Sequence, residues 1–228
     1  MINLADALAR AGQRTLVVDL DPQCNATSGL GCQPLARHPL VGETPLRNWI
    51  LPVAERLDVL PGSRSFRDVD SLANSGSSQS QRLVEHLHNG TTTYDFVLID
   101  CPPSLGQLTQ MALTASNEVL MPIQCEYFAM EGLVGMIEVI RDAMNTRPGQ
   151  LEFSGIVLTM YDSSLELTAE VDQEVREFFG EIVFDTVIPR DAKISEAPSH
   201  GTSILKYAPR SRGARAYVEL CMEVLDRE

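Results

Sequence analysis

Lysine and net positive charge are scarce in this chain of 228 residues. Lysine occurs only at Lys193 and Lys206, and 31 acidic residues outnumber 18 basic ones, which gives a formal net charge of −13. A protein that is basic over its whole surface, as many nucleic-acid-binding proteins are, is therefore excluded. Any contact with nucleic acid must come from a local basic region.

Long hydrophobic runs and closely spaced cysteine pairs are also missing from the sequence. No apolar stretch approaches the roughly 20 residues needed to cross a bilayer, and residues 1–6 lack the basic start of a signal peptide, so we expect a cytoplasmic protein. The five cysteines include no Cys-x-x-Cys pair, which argues against a disulfide framework or a zinc site. Since no long polar linker divides the sequence, we expect one domain over residues 1–228.

The positive charge that is present concentrates near the C-terminus. Between residues 190 and 215 the two lysines join four arginines against only two acidic residues. Such a segment is typical of a solvated helix face or of a binding surface for an anionic partner, and charge alone does not choose between them.

Short apolar runs alternate with helical patterns along most of the chain. The runs predict strands over residues 15–19, 57–60, 96–100, 118–123, 153–160 and 182–188. The patterns between them predict helices over residues 1–12, 79–89, 106–116, 127–146, 165–179 and 211–226. Near-continuous hydrophobicity favours strands that are covered on both faces, as in a parallel sheet. The predicted fold is therefore α/β, a doubly wound and mostly parallel sheet flanked by helices, with irregular loops over residues 31–78.

Two of these runs end in carboxylates. Asp19 and Asp21 follow the run at 16–18, and Asp100 ends the run at 96–100 just before two prolines. The second pattern has the form of a Walker B strand, whose terminal aspartate binds Mg²⁺ directly or through water. Because α/β sheets bind ligands at the carboxyl ends of their strands, we expect a site there.

Taken with their surroundings, these segments resemble the ParA family of bacterial partition ATPases, which carry a deviant Walker A loop. The resemblance rests on four ordered blocks, at residues 17–31, 100–106, 122–133 and 187–214. It implies a sheet of the P-loop NTPase type, with ATP and Mg²⁺ as cofactors.

The resemblance also implies a role for particular residues. Asp21 is expected near the attacking water, although a turn residue before Pro22 would look the same, and Asp19 is expected to act in catalysis or only to support its neighbour. Asp100 is expected in the Mg²⁺ shell. The adenine base is expected beside Pro189, Arg190 and Glu196. Two nucleotide-sensitive switch loops are expected at Asn25 and Thr27 and at Pro103 and Ser104. DNA contacts are expected from Lys193, Arg212 and Arg215.

The partners implied by the resemblance are non-specific DNA of the nucleoid, a ParB-type centromere-binding protein and a second copy of the chain in a nucleotide-dependent homodimer. DNA binding is expected to be weakened, because Ser163 and Ser164 stand where many relatives carry an arginine. A MinD-like membrane switch would need a lysine-rich amphipathic C-terminal helix, whereas residues 218–228 are acidic.

One family motif does not occur in the sequence. The Lys-Gly-Gly-Val-Gly-Lys-Thr loop that surrounds the phosphates is absent, and no lysine precedes Lys193. The loop and its strand would add roughly 20 residues, so we expect a natural chain that begins further upstream, with the first strand of the sheet missing here. As written, the chain is expected to be inactive in hydrolysis. The alternative is a pseudo-ATPase or scaffold that keeps the fold without binding phosphate.

Overall fold

The computed structural model describes residues 1–41, 44–65, 77–102, 106–126, 129–146 and 148–227. Its strands are β1 (Thr15–Asp19), β2 (Leu51–Ala54), β3 (Leu57–Leu60), β4 (Phe96–Asp100), β5 (Glu118–Gln124) and β6 (Glu152–Thr159). Its helices are α1 (Ile2–Arg10), α2 (Asn25–Gly29), α3 (Ser77–Thr91), α4 (Gln107–Ala115), α5 (Ala129–Thr146), α6 (Glu166–Phe179), α7 (Ala192–Glu196), α8 (Ile204–Tyr207) and α9 (Arg212–Arg227). Short 3-10 turns lie at Pro39–Val41, Leu46–Asn48, Gly180–Ile182 and Ala197–His200.

The strands form a mostly parallel arrangement, which confirms the predicted fold class. Four of them are ordered β2-β3-β1-β4, with β1 parallel to both β3 and β4. β5 and β6 form a second parallel pair. Of the strands that the structure describes, only β2 runs antiparallel, on the outer side of β3. No helix among the described residues is long and apolar enough to cross a bilayer.

Strand β1 shows why its sequence is apolar without alternation. All five of its residues are buried. Val17 packs into a cluster with α1, whereas Leu16 and Val18 pack into a cluster with α4 on the opposite face. Because helices cover both faces, every position along the strand favours an apolar side chain. The buried strand carries its terminal aspartate to a fixed place at the edge of the sheet.

The prediction of a strand over residues 182–188 is wrong. This segment meets β6 at one isolated bridge, Ile156 with Val183. The N–H groups of Phe184 and Ile188 also donate to carbonyls of β6 at 2.8 Å, but no continuous ladder forms among the described residues. In its middle, the carboxylate of Glu223 on α9 accepts hydrogen bonds from the backbone N–H groups at positions 185 and 186, at 2.8 and 2.9 Å. The Glu223 carboxylate therefore binds the two N–H groups that would otherwise pair with β6 in a continuous strand ladder.

Residues 31–78 contain more regular structure than the sequence predicted. β2 pairs with β3 through a tight turn, in which Arg56 has a positive φ of 60°. Pro52 lies inside β2, where a missing N–H is tolerated because the strand is at the edge of the sheet. Proline argues against a strand in sequence analysis, but Pro52 is compatible with β2 because β2 is an edge strand.

Two glycines bring distant segments into backbone contact. Gly31, two residues after α2, and Gly201, after the Ala197–His200 turn, both have positive φ, at 77° and 62°. A Cβ atom on Gly201 would lie 2.7 Å from the Cα of Gly31. Only glycine fits at either position, and the contact fixes α2 against the segment that follows α7.

Candidate functional site

The two predicted strand-end aspartates lie beside each other. Asp19 and Asp100 are partners in the parallel register of β1 and β4. The N–H of Leu20 continues the ladder by donating to the Asp100 carbonyl at 2.8 Å. Asp21 follows directly, so the three carboxylates gather at one edge of the sheet, as the sequence predicted.

The Asp19 carboxylate is buried and fully engaged by hydrogen bonds from its own loop. Its Oδ2 accepts from the Thr27 backbone N–H at 2.8 Å and from the Thr27 hydroxyl at 2.6 Å, and its Oδ1 accepts from the Asp21 N–H at 3.2 Å. Burial raises the pKa of Asp19 above its ordinary value, although the Thr27 bonds oppose that shift. The geometry favours the supporting role over the catalytic one.

Thr27 ties this carboxylate to the next strand of the sheet. Its hydroxyl accepts a hydrogen bond from the Gly62 N–H at 2.9 Å, just beyond β3, and its side chain is completely buried. Residues 25–29 form helix α2, so the expectation of a loop there is wrong. Asn25, by contrast, faces an open cavity. Pro103 and Ser104, the second predicted switch, lie outside the described residues.

Asp100 and Asp21 differ from Asp19 in their surroundings. Burial, followed by repulsion from Asp19 and Asp21, raises the pKa of Asp100 to about 6. The Oδ1 atom of Asp21 accepts from the Gln23 N–H at 2.9 Å, which closes a short turn before the loop enters α2. Among the described residues, no hydrogen bond engages the second oxygen of Asp21.

A cavity of about 570 Å³ opens beside Asp100. Its lining consists of Met1, Ile2, Asn3, Asn25, Ala26, Ser28, Gly29, Asp100, Ile194, Pro198 and Ser199. A cavity of this size is within the usual range for a small-molecule site. Carboxylate oxygen is a preferred ligand of Mg²⁺, so Asp100 fits such an ion. The described lining supplies amide and hydroxyl groups but no lysine or arginine for phosphate charge. Among the described residues, no three His, Cys, Asp or Glu side chains are arranged so that they could hold a metal ion by themselves.

The residues predicted around adenine do not line this cavity. Pro189 bridges to Tyr161 beyond β6, and the Arg190 guanidinium donates to the Glu126 carboxylate at 3.1 Å. Their loop nevertheless reaches the cavity further along, through Ile194 and the 198–199 segment. The adenine contacts stay a prediction for this loop.

The predicted DNA-binding lysine is held by an ion pair. Lys193 Nζ donates to Glu196 at 2.7 Å, and the Tyr207 hydroxyl donates to the same carboxylate oxygen at 2.9 Å. The ring of His200 stacks on Tyr207, with the ring centroids 4.9 Å apart. The hydrogen bonds from Lys193 and Tyr207 lower the pKa of Glu196. Glu196 thus serves this exposed cluster and not the cavity.

The other two predicted DNA contacts lie along the start of α9. Arg212 is its first residue, next to Gly213, whose N–H donates to the Asp191 carboxylate at 3.0 Å. The same carboxylate caps α7 by accepting from the Lys193 N–H. Asp191 therefore holds Lys193 and Arg212 on one side of the protein. Arg215 lies one turn further along α9 and lines a second cavity of about 350 Å³.

Sequence reasoning missed two residues that support Asp19. The Gly62 N–H donates to the Thr27 hydroxyl, which binds the Asp19 carboxylate, and the buried imidazole of His38 reaches the Asp19 carbonyl. Both lie in the proline-rich part of the chain, 43 and 19 positions from Asp19, and no spacing pattern links them to the strand-end motif. Their contacts follow only from the three-dimensional fold.

This chain is similar in sequence and in fold to known ATP-binding and chromosome-partitioning proteins. A family model described as an AAA domain matches residues 1–153. The sporulation initiation inhibitor protein Soj of Bacillus subtilis is 42% identical over 98% of this chain and 90% of its own. The chromosome partitioning protein ParA of Caulobacter vibrioides is 42% identical over all of this chain and 88% of its own. Cobyrinic acid a,c-diamide synthase from Mycobacterium smegmatis, solved with an ATP analog and magnesium, is 29% identical, with a TM-score of 0.81 over 98% of this chain and 86% of its own.

Proposed function

This chain belongs to the ParA family of bacterial chromosome-partitioning ATPases, and we propose that it acts as an ATP-dependent dimeric switch on nucleoid DNA. In this proposal the ATP-bound dimer binds DNA without sequence specificity and segregates a chromosome or plasmid with a ParB-type partner. The observation that carries the proposal is the register of β1 and β4, which pairs Asp19 with Asp100 and so brings the turn that holds Asp21 to the same edge of the sheet. Of these carboxylates, Asp100 lines the cavity.

The two carboxylates have separate tasks in this proposal. Asp100, at the end of β4, would hold Mg²⁺, and Asp21, in the turn after β1, would orient the attacking water. Bound Mg²⁺·ATP supplies the phosphoryl group and the leaving group. Phosphoryl transfer depends mainly on positioning and electrostatic stabilisation, so a carboxylate fixed by its loop is suited to this work.

Hydrolysis by the full chain tests the assignment of Asp21. We expect Mg²⁺-dependent ATP hydrolysis, stimulated by DNA and partner, to fall at least 100-fold in Asp21→Asn while ATP binding is retained. Asp226→Asn, which makes the same change at an exposed position near the C-terminal end of α9, is the matched control and is expected to keep full activity. Loss of activity in both variants would contradict a specific role for Asp21.

A scaffold that keeps this fold without binding phosphate is the second candidate. It is favoured by one observation, the described cavity lining without lysine or arginine. Titration of the wild-type chain with Mg²⁺·ATP separates the two candidates. Saturable binding supports the ATPase, whereas no binding at millimolar nucleotide supports the scaffold.

DNA binding is assigned in this proposal to Lys193 and Arg212, which Asp191 holds on one side of the protein. Each alanine substitution is expected to lower the affinity for random-sequence duplex DNA about ten-fold and to reduce its salt dependence, because each removes a phosphate contact. Lys206→Ala removes an exposed lysine outside the predicted set and serves as the control. An equal loss in all three variants would indicate attraction by overall charge instead of a defined surface.

The membrane alternative finds no support in helix α9. Its residues Ala214, Ala216 and Leu220 are buried in the core that α9 shares with α1. A helix that uses its apolar face inside the protein cannot also present that face to lipid.

A further inference from the structure

The imidazole of His38 lies buried behind the end of β1, with only 4% of the residue exposed. Its Nε2 atom is 3.0 Å from the Asp19 carbonyl oxygen. A carbonyl only accepts hydrogen bonds, so Nε2 must carry the proton. On the other side of the ring, the Leu40 N–H donates to Nδ1 at 3.3 Å, which requires Nδ1 to be unprotonated. The two bonds together select the neutral imidazole with its proton on Nε2.

The carbonyl that His38 contacts belongs to the peptide group from which the Asp21 loop departs. The N–H of this Asp19–Leu20 peptide group donates to the Asp100 carbonyl at 2.8 Å. His38 therefore fixes one side of the peptide group, and β4 fixes the other. Gly62 closes the same oxygen in, since a Cβ atom on it would lie 2.9 Å from the Asp19 carbonyl.

The side chain of Asp19 is held independently of this main-chain contact. Thr27 binds its Oδ2, and its Oδ1 in turn accepts the Asp21 N–H. Two different contacts thus determine where Asp21 sits, one through the Asp19 carboxylate and one through the Asp19 carbonyl. Only the second depends on His38.

We propose that His38 is a positioning residue for Asp21, acting through its hydrogen bond to the Asp19 carbonyl. The proposal deepens the function proposed above and rests on the role of Asp21 there. Without the imidazole, a buried carbonyl loses its donor, and the hydrogen bond to β4 alone holds the Asp19–Leu20 peptide group less firmly. Asp21 then samples orientations away from Asp100 although Thr27 still holds the Asp19 carboxylate.

The test uses the full chain and does not require it to hydrolyse ATP. The ¹⁵N spectrum of the histidine side chains identifies the protonated ring nitrogen, and amide hydrogen exchange reports opening of residues 20–27. His38→Leu removes the hydrogen bonds of the ring, including those to Asp19 and Leu40, whereas His38→Gln keeps a donor for the carbonyl and an acceptor for Leu40. His88→Leu makes the same change at an exposed position of α3 and is the matched control.

We expect the wild-type spectrum to show His38 neutral and protonated at Nε2. Amide exchange of residues 20–27 is expected to rise at least ten-fold in His38→Leu, to return to within three-fold of wild type in His38→Gln, and to stay unchanged in His88→Leu. Exchange in β6, which belongs to the separate β5–β6 pair, is expected to remain constant in all variants.

Three results would overturn the proposal. The first is a His38 ring protonated at Nδ1 or at both nitrogens. The second is unchanged exchange at residues 20–27 in His38→Leu. The third is an equal rise of exchange in β6, which would indicate a general loss of stability.

Where ATP hydrolysis is measurable, His38→Leu is expected to lower kcat about ten-fold with KM for ATP within two-fold. A proposed function that fails leaves the exchange pattern intact, so the two failures are distinguishable.

Discussion

The strand-end site and the basic segment are held together by different kinds of contact. Asp19 is completely buried, and most of its hydrogen bonds come from backbone N–H groups or a short hydroxyl side chain. Lys193 and Glu196 form a side-chain pair in which roughly half of each side chain is exposed, 49% and 42%. Bonds of the first kind fix atoms in place, whereas water and salt weaken pairs of the second kind. The strand-end site is therefore rigid, whereas the ion pairs of the basic segment are able to exchange partners.

The largest expected effect on stability comes from removing the Thr27 hydrogen bonds in the strand-end site. Thr27→Val keeps the shape of the side chain but removes the hydroxyl, which leaves the buried Gly62 N–H without its acceptor. We expect the free energy of unfolding, measured with urea, to fall by about 2 kcal/mol.

Thr27→Ser keeps the hydroxyl and is the control for the Thr27 prediction. It is expected to lose about 1 kcal/mol, because only one buried methyl group is removed. Equal losses in the two variants would show that packing of the methyl group, and not the hydrogen bonds, holds the loop.

An intermediate effect is expected where the basic segment has its own rigid contact, at Asp191. Asp191→Ala removes the cap of α7 and the acceptor of the Gly213 N–H, so we expect a loss of about 1 kcal/mol in the free energy of unfolding. Asp226→Ala, at an exposed position on α9, is expected to change it little.

The contribution of Asp191 should also depend on pH. The hydrogen bond from the Gly213 N–H lowers the pKa of Asp191 below the 3.8 of the unfolded chain. A group with a lower pKa in the folded state stabilises fully above the unfolded value and loses that effect as pH falls through the folded value. The difference between wild type and Asp191→Ala should therefore shrink below about pH 3.8, and a constant difference would contradict the assignment.

The smallest expected effect on stability comes from the exposed ion pair of the basic segment, at Glu196. Glu196→Gln removes the charge that pairs with Lys193, and we expect no measurable change in the unfolding midpoint. The affinity for duplex DNA is expected to rise about three-fold at low salt, because Lys193 becomes available and a negative charge is lost.

Glu166→Gln, an exposed position at the start of α6, controls for the change in net charge in this DNA experiment. A similar rise in affinity in that variant would show that total charge, and not release of Lys193, is responsible. Measurements at two salt concentrations by fluorescence anisotropy would also show whether the gain disappears with screening, as expected for exposed charges.

The parts of the molecule that the sequence predicted correctly depend on short-range patterns. β1 and β4 are apolar runs closed by aspartates, and the parallel arrangement then brings Asp19 and Asp100 together without further information.

The parts that could not be predicted depend on contacts between distant positions. Glu223 takes the N–H groups of residues 185–186 from 37 and 38 positions away, and the Thr27 hydroxyl meets Gly62 from 35 positions away. Neither pairing leaves a periodic signal in the sequence. The supporting contacts of the candidate site belong to this second class, which is why its carboxylates were predictable and their surroundings were not.

The backbone contact between Gly31 and Gly201 has a consequence for how this protein is able to evolve. Where two side chains touch, a larger residue on one side is often tolerated after a smaller one appears on the other. Here both positions already carry the smallest residue, and both have positive φ. A larger residue at either glycine cannot be compensated by a smaller one at the other. Related proteins that keep this contact are therefore expected to have glycine at both positions instead of a covarying pair.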